Sequence, residues 1–193
     1  VGNSIGGVIA LKAAEILKDK CKGIILIDCA QRTMDDKRLK RKNILMNLLR
    51  PVLKTLVRQR IISNTLFTRA ANPKVIKQIL KKAYPSGKNI DRELIQILYD
   101  PSQRKNSKEA FRGFINLFDD YLATDLFEKV DAPIQLIWGE KDPWESLSEA
   151  KEWKKKFKNI DRLDIVPGAG HCPHDEDPEI TNRLILDFLQ ETK

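Results

Sequence analysis

The sequence predicts an α/β protein whose parallel sheet is interrupted by a helical insertion. Two observations carry this prediction. Short continuous apolar runs alternate with amphipathic helical stretches near both ends of the chain, and a long middle region shows only helical periodicity. Such alternation supports a parallel sheet with crossover helices. We expect core segments at residues 1–30 and 128–193 and a helical insertion at residues 31–127.

The first core segment opens with the sequence VGNSIGG, which contains a G-x-S-x-G pattern centred on Ser4. This pattern is typical of a sharp turn between a buried strand and a helix, with the serine exposed at its apex. A helix is predicted from Ser4 to Lys18. The apolar run Ile24–Ile27, ended by Asp28, has the length and composition of a strand that is buried on both faces.

The insertion contains no strand-like run, and its apolar residues recur at helical spacing between proline breakers. The spacing predicts several short helices, around residues 44–49, 53–57, 75–80, 94–98 and 111–118.

Residues 31–112 form a strongly basic block, with 21 lysines and arginines against 6 aspartates and glutamates. The block has a net charge of +15, whereas the rest of the chain has a net charge of −7. Lysine-rich solvent faces of amphipathic helices account for such a block, and peripheral contact with an anionic membrane is the alternative. No nucleic-acid-binding motif accompanies the charge, so a nucleic-acid partner is not expected.

In the second core segment, apolar runs predict strands at residues 134–138 and 163–166, followed by helices at residues 145–157 and 179–191. Asp142 lies just beyond the first of these strands, in the stretch WGEKDPW. Open α/β sheets build their sites at this end of the strands. The Asp142 carboxylate could orient an imidazole there, or it could cap the helix that begins near Trp144.

The chain has two histidines, and both lie in the loop PGAGHCPH that follows the last predicted strand. His171 comes directly after a Gly-Ala-Gly stretch that lets the loop reach over the sheet, so we predict that His171 is the general base. His174 is followed by three acidic residues, and we expect it to stay protonated and to fix the loop.

The order Ser, Asp, His, with each residue following a strand, is the order in which α/β-hydrolases carry their catalytic triad. The stretches VGNSIGG, WGEKDPW and PGAGHCPHDEDPE resemble the nucleophile turn, acid loop and histidine loop of that family. The last two are most similar to those of the pheophytinase-like serine hydrolases of plastids and cyanobacteria. The insertion corresponds in position to the family's cap.

The resemblance implies a serine carboxylic-ester hydrolase in which Ser4 is the nucleophile, Asp142 the acid and His171 the base. The backbone N–H of Ile5 would be one oxyanion donor. The implied substrate is a bulky apolar ester, such as the phytyl ester of a chlorophyll-type pigment. Neither a cofactor nor a metal is implied.

Asp28 is a competing candidate for the acid. Some capped relatives, the haloalkane dehalogenase group, place the acid after the corresponding strand. Those enzymes use an aspartate nucleophile, whereas this chain has a serine, so Asp142 is favoured. A structural role for Asp28 where the insertion begins is the simpler account.

The resemblance also implies that the hydrolase fold is incomplete here. In the family the nucleophile turn follows the fifth strand, so the N-terminal strands are expected to be absent, with only Val1 left of the strand before the turn. The absent part would supply the second oxyanion donor, and the chain alone is therefore expected to have little or no activity.

Three alternatives remain open at this point. C–C bond hydrolases and perhydrolases share this type of turn or triad, and a non-catalytic member of the fold could bind lipid or a protein partner. No apolar run reaches the roughly 18 residues that span a bilayer. We expect a cytoplasmic protein, or one associated with plastids and thylakoids if the organism is photosynthetic.

Overall fold

The computed structural model describes residues 1–32, 52, 55–56, 59–115 and 121–192. Their contacts divide the chain into two compact units. The core unit comprises Val1–Gln31, Lys81–Asn89 and Tyr121–Lys193, and the helical unit comprises Arg32–Leu80 and Ile90–Asp120. The segment Lys81–Asn89 lies inside the predicted insertion but belongs to the core unit. The boundaries that we drew at residues 30 and 127 stay predictions.

Four strands form one sheet, and every neighbouring pair in it is parallel. In spatial and chain order they are β1 (Gly2–Asn3), β2 (Ile24–Ile27), β3 (Ile134–Gly139) and β4 (Ile160–Val166). This confirms the predicted parallel sheet.

Two details of the sheet differ from the prediction. The strand before the turn consists of Gly2 and Asn3, which pair with Leu26 and Ile27, and is not limited to Val1. Strand β4 begins at Ile160, three residues earlier than predicted. The reason is its composition, IDRLDIV, in which charged residues interrupt the apolar run although the backbone pairs with β3 from Ile160 to Val166, with a register shift at Asp161.

Helices connect and flank the strands. Within the described residues they are α1 (Ile5–Leu17), α2 (Arg60–Ala70), α3 (Pro73–Ala83), α4 (Arg92–Tyr99), α5 (Ser107–Ile115), α6 (Ala123–Phe127), α7 (Leu147–Lys156), α8 (Pro173–Glu176) and α9 (Pro178–Glu191). The predicted helical stretch at residues 44–49, and the end of the one at residues 111–118, lie outside the described residues. None of the described helices combines the length and apolar composition needed to cross a bilayer.

The core unit buries both faces of the sheet, because successive strand residues point to opposite sides. On one face, Leu26, Leu136 and Trp138 pack in a cluster with residues of α1, α6 and α7. On the other face, Ile137 packs against Phe188 of α9. Burial on both sides explains why β2 is a continuous apolar run and why β3 is apolar except for Gln135.

The helical unit has its own contacts. Phe67 of α2 and Phe111 of α5 pack against each other with tilted rings, whose centroids are 5.4 Å apart. Glu109 accepts hydrogen bonds from Arg60 and Arg112, each at 2.8 Å. Its helices also expose large apolar side chains to solvent, namely Ile61, Leu66, Ile79, Ile97, Leu98 and Phe114.

We predict that Leu136→Ala destabilises the protein by about 2–5 kcal/mol, because Leu136 is 0% exposed at the centre of the sheet and its truncation leaves a cavity. The matched control is Leu186→Ala on α9, where the leucine is 56% exposed and the change should stay within about 0.5 kcal/mol. Urea unfolding of both variants measures the difference. Equal losses in the two variants would contradict this assignment of the core.

Candidate active site

Ser4 lies at the turn between β1 and α1 and has a left-handed backbone, with φ 53° and ψ −124°. Such a conformation is strained for a residue with a side chain and is kept only where its surroundings enforce it. Here the Ser4 N–H donates to the Ile27 carbonyl at 2.9 Å, and the Ser4 carbonyl accepts from Gly7 and Ala30. The turn is therefore fixed by its neighbours at the carboxyl end of β2.

The first glycine of the G-x-S-x-G pattern is required by close packing. A β-carbon at Gly2 would lie 2.2 Å from the carbonyl oxygen of Gly6. Ile5 is the first residue of α1, so its N–H has no acceptor within the helix. This is the position expected of an oxyanion donor, and the role of Ile5 stays a prediction.

The structure brings Asp142 and His171 together. Nδ1 of the buried His171 ring is 2.8 Å from Oδ2 of Asp142. The ring of Trp144 packs against the His171 ring edge-on, with centroids 4.8 Å apart. The imidazole is thus held in one orientation by a carboxylate and an aromatic wall.

A side chain next to Ser4 ties the nucleophile turn to the histidine loop. Nδ2 of Asn3 donates to the carbonyl of His171 at 3.0 Å and to that of Ile27 at 3.2 Å. Asn3 is not among the site residues predicted from the sequence. The feature that could have identified it is its position between the first glycine and the serine of the G-x-S-x-G motif.

Asp142 contacts both the imidazole and the backbone that follows it, the two kinds of partner between which the sequence left a choice. Its Oδ1 accepts from the N–H groups of Trp144 (2.8 Å) and Glu145 (3.1 Å), while Oδ2 pairs with His171. The capped element is a turn, however, because α7 begins only at Leu147. Burial alone would raise the pKa of Asp142, but the hydrogen bonds from His171 and Trp144 lower it overall.

Asp28 lies at the end of β2 and is 0% exposed. Its Oδ1 accepts from the N–H of Gly139 at 3.0 Å, which links the ends of β2 and β3. Of the two candidate acids, Asp142 is the one that is hydrogen-bonded to the imidazole, and Asp28 interacts with the carboxylate of Asp142.

The expectation for His174 is wrong. Its ring is half-buried, and burial lowers the pKa of His174 although Asp175 acts in the opposite direction. Its Nδ1 is buried and makes no hydrogen bond within the described part of the chain. Burial therefore favours the neutral ring, contrary to the protonated state that its acidic neighbours in sequence had suggested.

Glu176 stabilises the histidine loop through its backbone, a role that was not predicted from the sequence. Its side chain is 2% exposed. Oε1 accepts from the Gly170 N–H at 2.5 Å, and Oε2 accepts from the backbone N–H (3.2 Å) and the hydroxyl of Ser86. One buried carboxylate thereby joins the residue before His171 to the segment Lys81–Asn89.

The same segment makes further hydrogen bonds to this loop. The His171 N–H donates to the carbonyl of Ala83 at 2.8 Å, and the Tyr84 hydroxyl donates to Oδ2 of Asp175 at 2.7 Å. Burial, followed by this hydrogen bond to Asp175, raises the pKa of Tyr84. These partners are about 90 residues apart in the chain, and the sequence indicated only that proline breakers separate the helices of this region.

We predict that Glu176→Gln destabilises the core unit by about 1–3 kcal/mol, because an amide cannot accept from Gly170 and Ser86 with both of its heteroatoms. Glu179→Gln is the matched control, since Glu179 is exposed on α9 and its change should cost no more than about 0.5 kcal/mol. Urea unfolding at neutral pH checks both. A Glu176 variant as stable as the control would show that these bonds do not hold the loop.

Among the described residues, no group of three or more His, Cys, Asp and Glu side chains is arranged to hold a metal ion. The described residues offer a carboxylate–imidazole pair in the loops after β3 and β4, and a hydroxyl at the turn after β1.

Comparison with known proteins agrees with this architecture. Pheophytinase of Arabidopsis thaliana chloroplasts is 28% identical over 134 residues, which cover 67% of this chain and 27% of that protein. Human epoxide hydrolase 4 is 39% identical over 62 residues, covering 32% of this chain and 17% of the relative. The chain thus spans about a quarter of the pheophytinase that it matches.

A solved structure shows the same fold over nearly the whole chain. A thermophilic esterase from Thermogutta terrifontis superimposes with a TM-score of 0.67 at 18% identity, covering 99% of this chain and 64% of the esterase. The model of the alpha/beta hydrolase family matches residues 1–184. The parallel sheet, the strained serine turn and this match lead to one conclusion: the chain belongs to the α/β-hydrolase family.

Proposed function

We propose that this chain carries the catalytic centre of a serine carboxylic-ester hydrolase that works through an acyl-enzyme. The observation that carries the proposal is the buried Asp142–His171 pair, together with the hydrogen bond by which Asn3 ties the loop of His171 to the turn bearing Ser4. The names of the relatives cover more than one reaction, so the proposed chemistry is taken from the residues of the site.

In the proposed mechanism, the Ser4 hydroxyl attacks the ester carbonyl while Nε2 of His171 removes its proton. Ionised Asp142 stabilises the imidazolium that forms. The oxyanion of the tetrahedral intermediate accepts a hydrogen bond from the Ile5 N–H at the start of α1. His171 then gives the proton to the leaving alcohol, and a water molecule, activated in the same way, releases the acid and regenerates Ser4.

The hydrogen bonding around Asp142 supports this division of roles. The bonds that lower the pKa of Asp142 keep it ionised at neutral pH, as a partner for an imidazolium. An ionised Oδ2 at 2.8 Å from Nδ1 favours the tautomer with its proton on Nδ1. Nε2 is then free to accept the proton of a serine hydroxyl.

We further propose that the ester is bulky and apolar, of the phytyl type. The similarity to pheophytinase and the resemblance of the acid and histidine loops support this substrate class. The exposed lysines of α3 (Lys74, Lys77, Lys81 and Lys82) suit peripheral contact with an anionic membrane, where such an ester would dissolve. Either the cytoplasm or the plastid fits this proposal, and no cofactor is needed for it.

We predict that a fluorophosphonate probe labels Ser4 of the full-length natural protein, and that Ser4→Ala abolishes both labelling and ester hydrolysis. The reason is that only an activated serine reacts with such probes. Ser148→Ala, which changes an exposed serine, is the control and should leave both unchanged. Mass spectrometry of the labelled peptide identifies the site. Failure of the wild-type protein to react, with lipid or partner binding retained, would favour a non-catalytic member of the fold.

We predict that pheophytin is hydrolysed with a kcat/KM at least about 100-fold above that of p-nitrophenyl acetate. Each buried methylene contributes about 0.8 kcal/mol, so a long apolar chain supplies binding energy that an acetyl ester lacks. Steady-state kinetics with detergent-dispersed substrates measure the ratio. A preference for the short ester would reject the phytyl-type substrate and leave the serine mechanism intact.

A further inference from the structure

The buried carboxyl group of Asp28 has one oxygen that no donor satisfies. Oδ1 accepts from Gly139, but Oδ2 makes no hydrogen bond to any described donor, although the side chain is 0% exposed. An ionised carboxylate accepts through both oxygens, and leaving one of them bare in the interior is costly. A proton on Oδ2 would remove this cost if an acceptor lay beside it.

The group beside Asp28 is such an acceptor. Asp28 accepts from the N–H of Gly139, whose carbonyl in turn accepts from the N–H of Asp142 at 3.3 Å, so the carboxyl group of Asp28 is near that of Asp142. Asp142 already receives hydrogen bonds from Trp144, Glu145 and His171. Because Asp142 accepts hydrogen bonds from three donors, it is the ionised member of the pair. Two carboxylates that share a buried site do not both ionise readily, so the proton belongs on Asp28.

The other titratable groups around Asp28 act in the same direction. Burial, followed by the charge of Asp142, raises the pKa of Asp28 well above its usual range, and Glu145 adds to the effect. The thiols of Cys29 and Cys172 also interact with Asp28, and burial raises the pKa of each, to about 11 for Cys172. Among the described groups that interact most strongly with Asp28, none supplies a positive charge that would hold it ionised.

We propose that Asp28 is a neutral carboxylic acid in the folded protein, that its Oδ2–H donates to the carboxylate of Asp142, and that it thereby positions Asp142 against His171. Like Ser4, Asp28 has a left-handed backbone, with φ 41°, which is a strain typical of functional positions. The positioning role rests on the proposed function, whereas the protonation does not. Asp28 is then neither the triad acid nor only a hinge of the insertion.

Protonation of Asp28 links folding to pH with a definite sign. In the unfolded chain an aspartate ionises near pH 4. A folded state that keeps the acid neutral binds one more proton above that pH, so stability falls as pH rises, up to the folded-state pKa. Asparagine has the same shape, donates in the same direction and does not titrate.

The first test compares Asp28→Asn with the wild-type 193-residue chain by urea unfolding between pH 5 and pH 8. We expect the ratio of the variant's folding equilibrium constant to that of the wild type to rise about tenfold per pH unit. Asp161→Asn is the control, because Asp161 is an exposed aspartate on β4, and its ratio should stay flat. A flat ratio for Asp28→Asn would overturn the proposal.

A second measurement uses the wild-type protein and so does not depend on whether a variant folds. In wild-type protein with ¹³C-labelled aspartate carboxyl groups, one resonance should keep the chemical shift of a protonated acid at pH 7. If every aspartate resonance has the ionised shift at pH 7, the proposal is wrong.

The positioning role is tested by kinetics of the full-length natural protein. Asp28→Leu should lower kcat roughly 10–100-fold with little change in KM, because Asp142 loses a donor, and Asp28→Asn should restore most of that loss. Asp142→Asn should cost about 10⁴-fold. If Asp28→Asn is as damaging as Asp142→Asn, Asp28 acts as an ionised acid and the proposal fails. If the proposed serine mechanism is wrong, Ser4→Ala will remain active. The pH dependence of stability expected for Asp28 does not depend on that result.

Discussion

The hydrogen bond between Asp142 and His171 is the interaction on which the arrangement of the core unit depends. It requires the loop after β3 and the loop after β4 to lie almost in contact, and the backbone is built for that approach. A β-carbon at Gly139 would lie 1.8 Å from the carbonyl oxygen of Gly170, and one at Gly170 would lie 2.2 Å from that of Ala83. The glycines flanking the acid and histidine motifs are therefore conditions for the bond and not simply flexible positions.

The charge around this bond is as constrained as its geometry. Three carboxyl groups interact here, because Asp142 and Glu145 act on His171 and Asp28 acts on Asp142. Burial raises the pKa of Glu145, and the Gln31 N–H, which donates to it at 2.8 Å, opposes this shift. Full ionisation of all three groups would concentrate negative charge in a poorly solvated site. Hydrogen-bond donors are concentrated on Asp142, and this unequal supply selects it as the charged partner of His171.

Sequence reasoning succeeded where a local pattern carries the information. Strand β2 is apolar throughout, and β3 is apolar except for Gln135, because both faces of the sheet are covered. Strand β4 was predicted too short because Asp161, Arg162 and Asp164 interrupt its apolar pattern. Asp142 and His171 could be selected because each follows a strand in a recognisable motif. The roles of Glu176 and Tyr84 depend on partners about 90 residues away, and the state of His174 depends on burial. Neither is encoded in neighbouring residues.

The segment Lys81–Asn89 shows why the insertion is not a freely exchangeable block. A deletion of residues 31–127 would remove the Ala83 carbonyl that accepts from His171 and the Ser86 groups that bind Glu176. The His171 N–H would then have no acceptor, and Oε2 of Glu176 would have no donor. Each buried polar group left without a partner lowers the stability of the protein. Variation of the insertion that preserves the histidine loop must therefore retain this segment. The base of the insertion thus belongs structurally to the site, and its sequence is tied to that of the loop carrying His171.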